Sequence, residues 1–341
     1  MRVLPAAMAM TLWSCGAGRP ASAPDAGTGG ASLPLVLVAD APLPGGATRF
    51  DYQAIDRGRG HVIIAHMNDG TVVVASLSDG SVVKVIPNVP TARGIVVADD
   101  VGMFFVTSSP NQLVEIDNGT LNEVRRVTTG NAPDGVGWDP KDKIVATSDQ
   151  ADGAISLIAG SGAGPRTQVP LGTETGNVVY DAPRGIFWIT VVGPTSPDRL
   201  VGIDPIAAKV TTTIPLPGCD GAHGLRVHPD GRSALIACEN NDKLARVDLG
   251  ASHAVSIGST GLGPDVLSID PTLGWLYVAA ESGDLTVFDV NQPGVVLVGH
   301  DQPGANSHSV AADPATHRVF FPLMQGPNGT PALRIMKPTG T

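Results

Sequence analysis

The sequence predicts an all-β fold, a ring of seven four-stranded blades around a central channel, and three observations lead to it. The 341 residues include 42 glycines and 29 prolines but only 16% charged residues, which favours short strands and tight turns over long helices. A pattern of strands and turns recurs every 41 to 46 residues. One strand-like segment near the N-terminus belongs to no repeat of its own and is free to complete the last one.

The N-terminus has the order of a bacterial export signal over residues 1–15. Arg2 precedes an apolar run, Val3 to Trp13, that is too short to span a bilayer as a helix. The letters "LWSC" at its end resemble a lipobox, in which Cys15 becomes the lipidated N-terminus and the protein's only membrane attachment. This interpretation predicts a lipoprotein on the periplasmic side of the envelope.

Two alternatives remain for the same segment. Cleavage after "ASA", Ala21 to Ala23, would give a protein that is exported without a lipid. In the second alternative, the segment is a tail of an intracellular protein. Residues 16–32 are rich in Gly, Ala, Pro and Ser, which is typical of a flexible linker. Residues 33–341 are predicted to form a single domain.

Four stretches show the repeat most clearly. They read "HGLRVHPDGRSALIACENNDKLARVDL" from His223, "PDVLSIDPTLGWLYVAAESGDLTVFDV" from Pro264, "PDGVGWDPKDKIVATSDQADGAISLI" from Pro133 and "HSVAADPATHRVFFPLMQGPNGTPALRIM" from His308. Each runs from a short apolar strand through a D-P or H-P turn to a second strand, a polar turn and an alternating third strand. Weaker copies begin near Asp51, Arg93 and Asn177, which makes seven. This period is typical of a four-stranded propeller blade.

The last repeat is one strand short. Only about three strands of ordinary length fit between His308 and Thr341. The segment "LPLVLVADAPLPG", Leu33 to Gly45, is strand-like and precedes the first repeat. We therefore expect it to form the outer strand of the seventh blade, which closes the ring without leaving an open edge between the first and last blades.

Two of these repeats carry a family resemblance, "DPTLGWLYVAAESGDLTVFD" from Asp270 and "HPDGRSALIACENNDKLARVD" from His228. They resemble the YVTN-repeat (YncE-like) β-propellers, a family of exported bacterial proteins, and the likeness extends over residues 33–341. The tetrad that names the family is closest in "LYVA", Leu276 to Ala279. The resemblance implies the fold and an exported location, but family members have binding and enzyme-like roles, so it implies no reaction.

The first-strand entries supply the candidate ligand site. In a propeller the innermost strands begin at one opening of the channel, so the residues at these entries are expected to surround it. They are Asp51, Arg93, Asp134, Asn177, His223, Asp265 and His308. Paired positions in an antiparallel hairpin have a constant sum, which adds His66 opposite Asp51 and places Cys238 opposite His223. We predict that the entry residues and His66 bind a ligand.

The same opening offers a candidate metal site. His223, Glu239, Glu281 and His308 would supply imidazole and carboxylate ligands to one divalent ion. The alternative is a wet polar rim whose side chains are satisfied by water, because the sequence shows no compact metal-binding spacing.

Two cysteines remain once Cys15 is assigned to lipidation. An even pair in an oxidising compartment favours a disulfide, and Cys219 lies close in sequence to His223, the expected neighbour of Cys238. We predict a Cys219–Cys238 bridge that joins an inter-blade loop to its blade.

Composition and missing motifs limit the functions. A net charge of -10 with scattered Lys and Arg argues against binding nucleic acid or anionic membranes. Motifs for covalent haem, zinc proteases, serine hydrolases and P-loops are absent from the sequence.

Three hypotheses follow, and the first is a monomeric, non-enzymatic module that binds a protein or a small molecule. The second is an enzyme resembling the metal-dependent lactonase and lyase propellers, in which Asn177, Asp265 and Glu281 surround a divalent cation. A quinone- or haem-linked dehydrogenase subunit is third. No catalytic residue is assigned.

Overall fold

The computed structural model describes residues 32–160, 166–194 and 197–340. The predicted export signal, Cys15 and nearly all of the predicted linker lie outside the described residues. Within the described ranges, twenty-eight strands form seven antiparallel sheets of four strands each. The seven-bladed β-propeller that the repeat predicts is confirmed.

The first strand, β1 (Leu35–Pro42), precedes the blades in sequence. Blade 1 contains β2 to β5 (Gln53–Asp56, His61–His66, Thr71–Ser76, Val82–Ile86), and blade 2 contains β6 to β9 (Ile95–Ala98, Met103–Ser108, Gln112–Asp117, Asn122–Thr128). Blade 3 contains β10 to β13 (Pro133–Asp139, Ile144–Asp149, Ala154–Ala159, Thr167–Pro170), and blade 4 contains β14 to β17 (Thr175–Asp181, Ile186–Val191, Arg199–Asp204, Lys209–Pro215). Blade 5 contains β18 to β21 (Ala222–Val227, Ser233–Cys238, Lys243–Asp248, Val255–Ser259), and blade 6 contains β22 to β25 (Pro264–Asp270, Trp275–Ala280, Leu285–Asp289, Val296–Asp301). Blade 7 contains β26 to β28 (Ala311–Asp313, Arg318–Leu323, Ala332–Pro338) and, on its outer side, β1.

The ring is closed by the two ends of the described chain. Strand β1 pairs antiparallel with β28, from Leu35 opposite Pro338 to Pro42 opposite Ala332. The Arg334 guanidinium donates two hydrogen bonds of 2.8 Å to the Asp40 carboxylate across this pair. The predicted closing strand is therefore confirmed.

The hydrophobic core lies between the blades. Each of the seven apolar clusters found in the described residues joins two neighbouring blades; one of them, for example, packs Ile63 and Val72 of blade 1 against Phe104 of blade 2. Burying one such side chain contributes about 1.5–3 kcal/mol. Blade-to-blade packing therefore holds the innermost strands in a ring.

The D-P turns of the repeat end the innermost strands at what we call the base of the channel. The aspartate of each turn accepts hydrogen bonds from backbone N–H groups of the turn; Asp139 Oδ1, for example, accepts from Lys141 N (2.9 Å) and Asp142 N (3.2 Å). Asp270 and Asp313 do the same in the D-P turns of their blades, and Asp56 and Asp181 do so in equivalent turns without proline. These buried carboxylates stabilise turns, which is the usual role of Asp at such positions.

We call the other end of the channel, where the innermost strands begin, the mouth. In blades 3 to 6 the pairing of the first two strands shifts register near the mouth. In blade 5, Leu225 lies opposite Ile236, as the constant sum of paired residue numbers predicts. Cys238, however, lies opposite Ala222 and not opposite His223 as predicted. The shift is a β-bulge, which changes the direction of side chains at a strand end.

In the part of the chain that the structure describes, no helix is both long enough and apolar enough to cross a membrane.

Candidate functional site

Three buried carboxylates and one imidazole form the centre of the mouth. Asp51, Asp134 and Asp265 are 4%, 3% and 4% exposed, and they come from blades 1, 3 and 6. His223 of blade 5 lies between two of them, with Nε2 3.2 Å from Asp134 Oδ2 and Nδ1 3.0 Å from Asp265 Oδ1. The propeller thus brings four of the predicted entry residues into one cluster.

The two aspartates hold His223 in its charged form. Burial lowers the pKa of His223, but hydrogen bonds to Asp134 and Asp265 and the charges of both carboxylates outweigh burial, so this pKa lies well above its ordinary value. Burial acts in the opposite direction on the aspartates, and His223 again outweighs it, so the pKa values of Asp134 and Asp265 are lowered. The result is an imidazolium between two carboxylates, an arrangement in which each charge favours the others.

The third carboxylate behaves differently. Burial, together with the charges of Asp265 and Asp134, raises the pKa of Asp51 from 3.8 to about 8. The positive charges of Arg49 and Arg93 oppose this shift but do not cancel it. Asp51 is therefore protonated at neutral pH, and it is a group of the mouth that can release a proton just above neutrality.

Arg49 is part of the site, and sequence reasoning missed it. Its guanidinium donates to both carboxylate oxygens of Glu281, at 2.9 and 2.6 Å, and its Nη2 is 3.8 Å from Asp265 Oδ2. Arg49 lies in the loop between β1 and β2, before the first repeat, so no repeat position marks it. Tyr52 was missed as well; its hydroxyl donates to Asp265 Oδ1 at 3.2 Å.

Arg93, a predicted entry residue, lies at the edge of the cluster. Its Nη1 is 3.5 Å from Asp134 Oδ1 and donates to Gln150 Oε1 at 3.2 Å. Gln150 in turn donates to Glu174 at 2.9 Å. This chain of contacts connects the mouth of blades 2 and 3 to blade 4.

Asn177 lies one residue after the entry position of its blade. Its backbone N–H donates to Thr190 Oγ1, as Gly135 N donates to Ser148 Oγ in blade 3, so Asn177 is the counterpart of Gly135. The counterpart of Asp134 in blade 4 is therefore Gly176, which has no side chain. Weak repetition in this blade explains the shift of one position in the sequence alignment.

His66 is the last residue of β3 and is fully buried. Its ring stacks on Phe50 with centroids 4.0 Å apart, and its Nε2 is 3.0 Å from Thr48 Oγ1. Thr48 also donates to Asp69 at 2.5 Å. These contacts hold the loop that carries Arg49, so His66 positions a residue of the site and is not itself open to a ligand.

A cleft of about 390 Å³ opens at the mouth beside Arg49. The residues around it come from blades 6, 7 and 1; they are Ala47, Thr48, Arg49, Asn68, Glu281, Asn306, His308 and Met324. His308 is only 5% exposed, and its Nε2 has no hydrogen-bond partner in the part of the chain that the structure describes. Clefts of this size accommodate small organic molecules.

Two of the four predicted metal ligands, His223 and Glu281, are engaged by other side chains. Both ring nitrogens of His223 contact aspartates, and Glu281 is paired with Arg49. Glu239 is half-buried, and burial raises its pKa. Among the described residues, no group of three or more His, Cys, Asp or Glu side chains is arranged to hold a metal ion.

A disulfide lies next to the cluster in blade 5. The structure joins Cys219 to Cys238, with Cα atoms 5.2 Å apart, a separation ordinary for disulfides. Cys219 belongs to the loop that enters blade 5, and Cys238 ends β19 immediately before Glu239. The bridge therefore holds the loop from which His223 follows.

Comparison with known proteins supports the fold and not an activity. Hydrazine synthase from Kuenenia stuttgartiensis superposes with a TM-score of 0.71 at 14% identity, covering 83% of this chain and 94% of that chain. Virginiamycin B lyase from Staphylococcus aureus superposes with a TM-score of 0.70 at 13% identity, covering 89% of this chain and 99% of that one. No protein-family model matches the chain, and neither does any curated protein. At these identities the likeness shows the fold alone.

Proposed function

We propose that this propeller is an exported, non-enzymatic binding module of the YVTN-repeat type that takes a small polar ligand in the cleft at its mouth. The observation that carries the proposal is His308, a histidine in the wall of the cleft whose buried Nε2 has no hydrogen-bond partner among the described residues. Buried polar atoms are nearly always hydrogen-bonded, so one that remains unpaired beside a cleft marks a place for a ligand atom.

The protonation of His308 defines what the ligand offers. Burial and then the positive charge of Arg49 lower the pKa of His308, so its ring is neutral at neutral pH. A hydrogen bond to the Phe50 backbone assigns the ring proton to Nδ1, because Nε2 is the nitrogen without a partner. Nε2 then accepts, and the ligand supplies a hydroxyl or amide N–H.

The other walls of the cleft fit a ligand with several polar groups. Asn68 and Asn306 both donate and accept, and the Arg49–Glu281 pair presents opposite charges side by side. Met324 and Ala47 add an apolar surface. A polyhydroxylated or amide-bearing organic molecule matches this lining better than a simple ion.

The exported location is supported by the leader and by the disulfide. A signal-like N-terminus ends in a lipobox-like Cys15, and disulfides such as Cys219–Cys238 persist in oxidising compartments. We propose a monomer on the periplasmic side of a bacterial envelope, tethered by lipid at Cys15.

The metal-dependent enzyme has less support. Its three proposed ligands do not have the same neighbours. Asn177 lies against Gly135, whereas Asp265 and Glu281 both contact Arg49.

The test is a ligand screen on the purified full-length chain. Sugars, polyols and hydroxy acids are screened by thermal unfolding, and the hits are measured by calorimetry on wild type and on His308→Leu. We expect about a tenfold or greater loss of affinity, because one hydrogen bond to a buried neutral group contributes about 0.5–1.5 kcal/mol and the leucine also opposes a polar ligand. His300→Leu, at an exposed position on the outer strand of blade 6, is the matched control. Equal affinity in the two variants contradicts the proposed site.

A further inference from the structure

A second cavity, of about 550 Å³, lies between blades 1 and 2. Its walls come from the turn after β3, from the connection between β5 and β6, and from blade 2. One short helical turn, Met67–Asp69, separates it from the cleft at the mouth, since Asn68 lines the cleft and Asp69 lines the second cavity. Cavities of this size accommodate small organic molecules, and the proposed function leaves this one unused.

Prolines form the apolar part of this cavity. Pro87 and Pro90 belong to the connection that leads into blade 2, and Pro110 belongs to the turn between β7 and β8. The two segments are joined by a hydrogen bond of 2.8 Å from Ser109 N to Pro90 O. Proline has a fixed backbone angle and no N–H group, so these walls are rigid and present mainly hydrocarbon to a ligand.

The arginine in the wall has few donors left for an anion. Arg126 donates to both carboxylate oxygens of Glu123, at 2.9 and 2.7 Å, so its charge is balanced. It also donates to Gln112 Oε1 at 3.1 Å and to Asn88 O at 2.5 Å. These hydrogen bonds lie around the edge of the guanidinium and leave its flat faces, which stack on aromatic rings.

Asp69 is the other charged residue in the wall, and its charge is not balanced. Its carboxylate accepts from Gly46 N at 2.7 Å and from Thr48 Oγ1 at 2.5 Å, which are uncharged donors. His66 Nε2 lies 3.5 Å from Asp69 Oδ1, but burial lowers the pKa of His66, so this ring is neutral at neutral pH. Among the described residues, no Lys or Arg forms an ion pair with Asp69. A carboxylate has lone pairs for further donors.

We propose that this cavity binds a small aromatic amine, whose ammonium group pairs with Asp69 and whose ring lies against the prolines and the face of Arg126. The ammonium supplies the counter-charge that Asp69 lacks, and a charged donor forms a stronger hydrogen bond to a carboxylate than a neutral one. The site does not rest on the ligand proposed for the mouth, because the second cavity and the cleft share no wall residue.

Calorimetry of the full-length chain with phenylethylamine tests the proposal. The two analogues are phenylethanol, which lacks the charge, and butylamine, which lacks the ring, and both should bind wild type more weakly. We expect Asp69→Asn to weaken binding of phenylethylamine by about tenfold or more, because the ion pair is lost. Asp79→Asn is the matched control and should bind like wild type, since Asp79 is an exposed acid of blade 1 that also accepts hydrogen bonds within its turn.

A second variant leaves the hydrogen bonds of Asp69 in place, because these also hold the loop that carries Arg49. Thr71→Phe puts a ring into the cavity from the first position of β4, and it should exclude phenylethylamine. His308→Leu, in the mouth cleft, should bind phenylethylamine like wild type. A loss of binding in His308→Leu would place the amine in the cleft and overturn the second site.

NMR of the wild-type protein locates the amine without any variant. The amide signals of Gly70 and Gln112, which line the second cavity, should shift during a phenylethylamine titration, and the amide signal of Asn306 in the mouth cleft should not. The proposal is overturned if phenylethylamine does not bind or if either analogue binds as tightly. It is also overturned if Asp69→Asn and Thr71→Phe both bind phenylethylamine as wild type does.

Discussion

At the scale of single residues, the mouth is a network in which protonation and position determine each other. His223 keeps its proton because Asp134 and Asp265 lie 3.2 and 3.0 Å from its ring nitrogens. Asp51 keeps its proton because it is buried close to the same two carboxylates. The network therefore contains His223, Asp134 and Asp265, which keep their charges over a wide pH range. It also contains one acid, Asp51, that titrates near neutrality.

Asp51 gives a pH dependence whose sign can be stated. Its pKa is raised from 3.8 to about 8 in the folded protein, so between these values the folded state holds a proton that the unfolded state has lost. The contribution of Asp51 to stability is complete below pH 3.8 and is lost progressively as the pH rises through about 8. We expect Asp51→Asn to gain stability relative to wild type as the pH rises over this window.

The measurement is urea unfolding of both proteins from pH 5 to pH 9, with the difference in free energy of unfolding plotted against pH. Asp301→Asn, at an exposed position on the outer strand of blade 6, is the control and should show a flat difference. A flat difference for Asp51→Asn as well would show that Asp51 is ionised in the folded protein.

At the scale of elements, glycines that directly follow the entry residue of a blade let neighbouring innermost strands touch. Gly94 N donates to Asp134 O at 3.1 Å, a contact between blades 2 and 3. A Cβ added at Gly94 would lie 2.3 Å from that oxygen, and one added at Gly224 would lie 1.8 Å from Asp265 O. The repeat contains these glycines because a side chain would separate the strands that carry the mouth residues.

We expect Gly224→Ala to destabilise the protein by about 1–3 kcal/mol, the usual effect of overpacking, and to displace Asp265 from His223. Gly58→Ala is the matched control, because its added Cβ meets nothing closer than Asp56 Oδ1 at 3.6 Å, an ordinary van der Waals contact. Denaturant unfolding gives the stability change, and the histidine NMR titration reports the His223–Asp265 contact. If the two variants are equally stable, the close approach does not limit this position.

The disulfide stabilises the entry to blade 5. Cys219 and Cys238 are 19 residues apart in sequence, and closing a loop of this length contributes about 2–4 kcal/mol. We expect the double variant Cys219→Ala and Cys238→Ala to lose stability by that amount, as measured by guanidinium unfolding. The single variant Cys15→Ala should unfold like wild type. Free-thiol counting that finds both Cys219 and Cys238 reduced in the exported protein would refute the bridge.

At the scale of the whole molecule, stability depends on closing the ring. Strand β1 covers the last blade over eight residues and adds the Arg334–Asp40 pair. Without β1, the edge of β28 and the cluster between blades 7 and 1, which includes Ala41 and Leu43, would be exposed. Unpaired strand edges promote aggregation.

A truncation tests the closure. We expect a chain that begins at residue 43 to aggregate or to unfold at a clearly lower temperature, whereas a chain that begins at residue 32 keeps the stability of the full length. Light scattering and calorimetry distinguish these results. A soluble, equally stable chain without β1 would mean that three strands suffice for blade 7.

By itself, the sequence determined the number of blades, their closure by β1 and the turns at the base. These features follow from local patterns, since strand length, D-P turns and alternation repeat with a fixed period. The candidate site could be predicted only in part. Asp51, Asp134, His223 and Asp265 mark their repeats and were found, whereas Asn177 was displaced by one position in a weakly repeating blade.

Only the tertiary structure decided which side chains meet. Arg49 reaches Glu281 across 232 positions of sequence, and the Tyr52 hydroxyl reaches Asp265 across 213 positions. Neither pair repeats, so no period marks it. Protonation was also beyond the sequence, because the raised pKa of Asp51 depends on burial and on carboxylates from other blades. Contacts around a ring axis combine residues from non-neighbouring repeats, and only the closed ring specifies them.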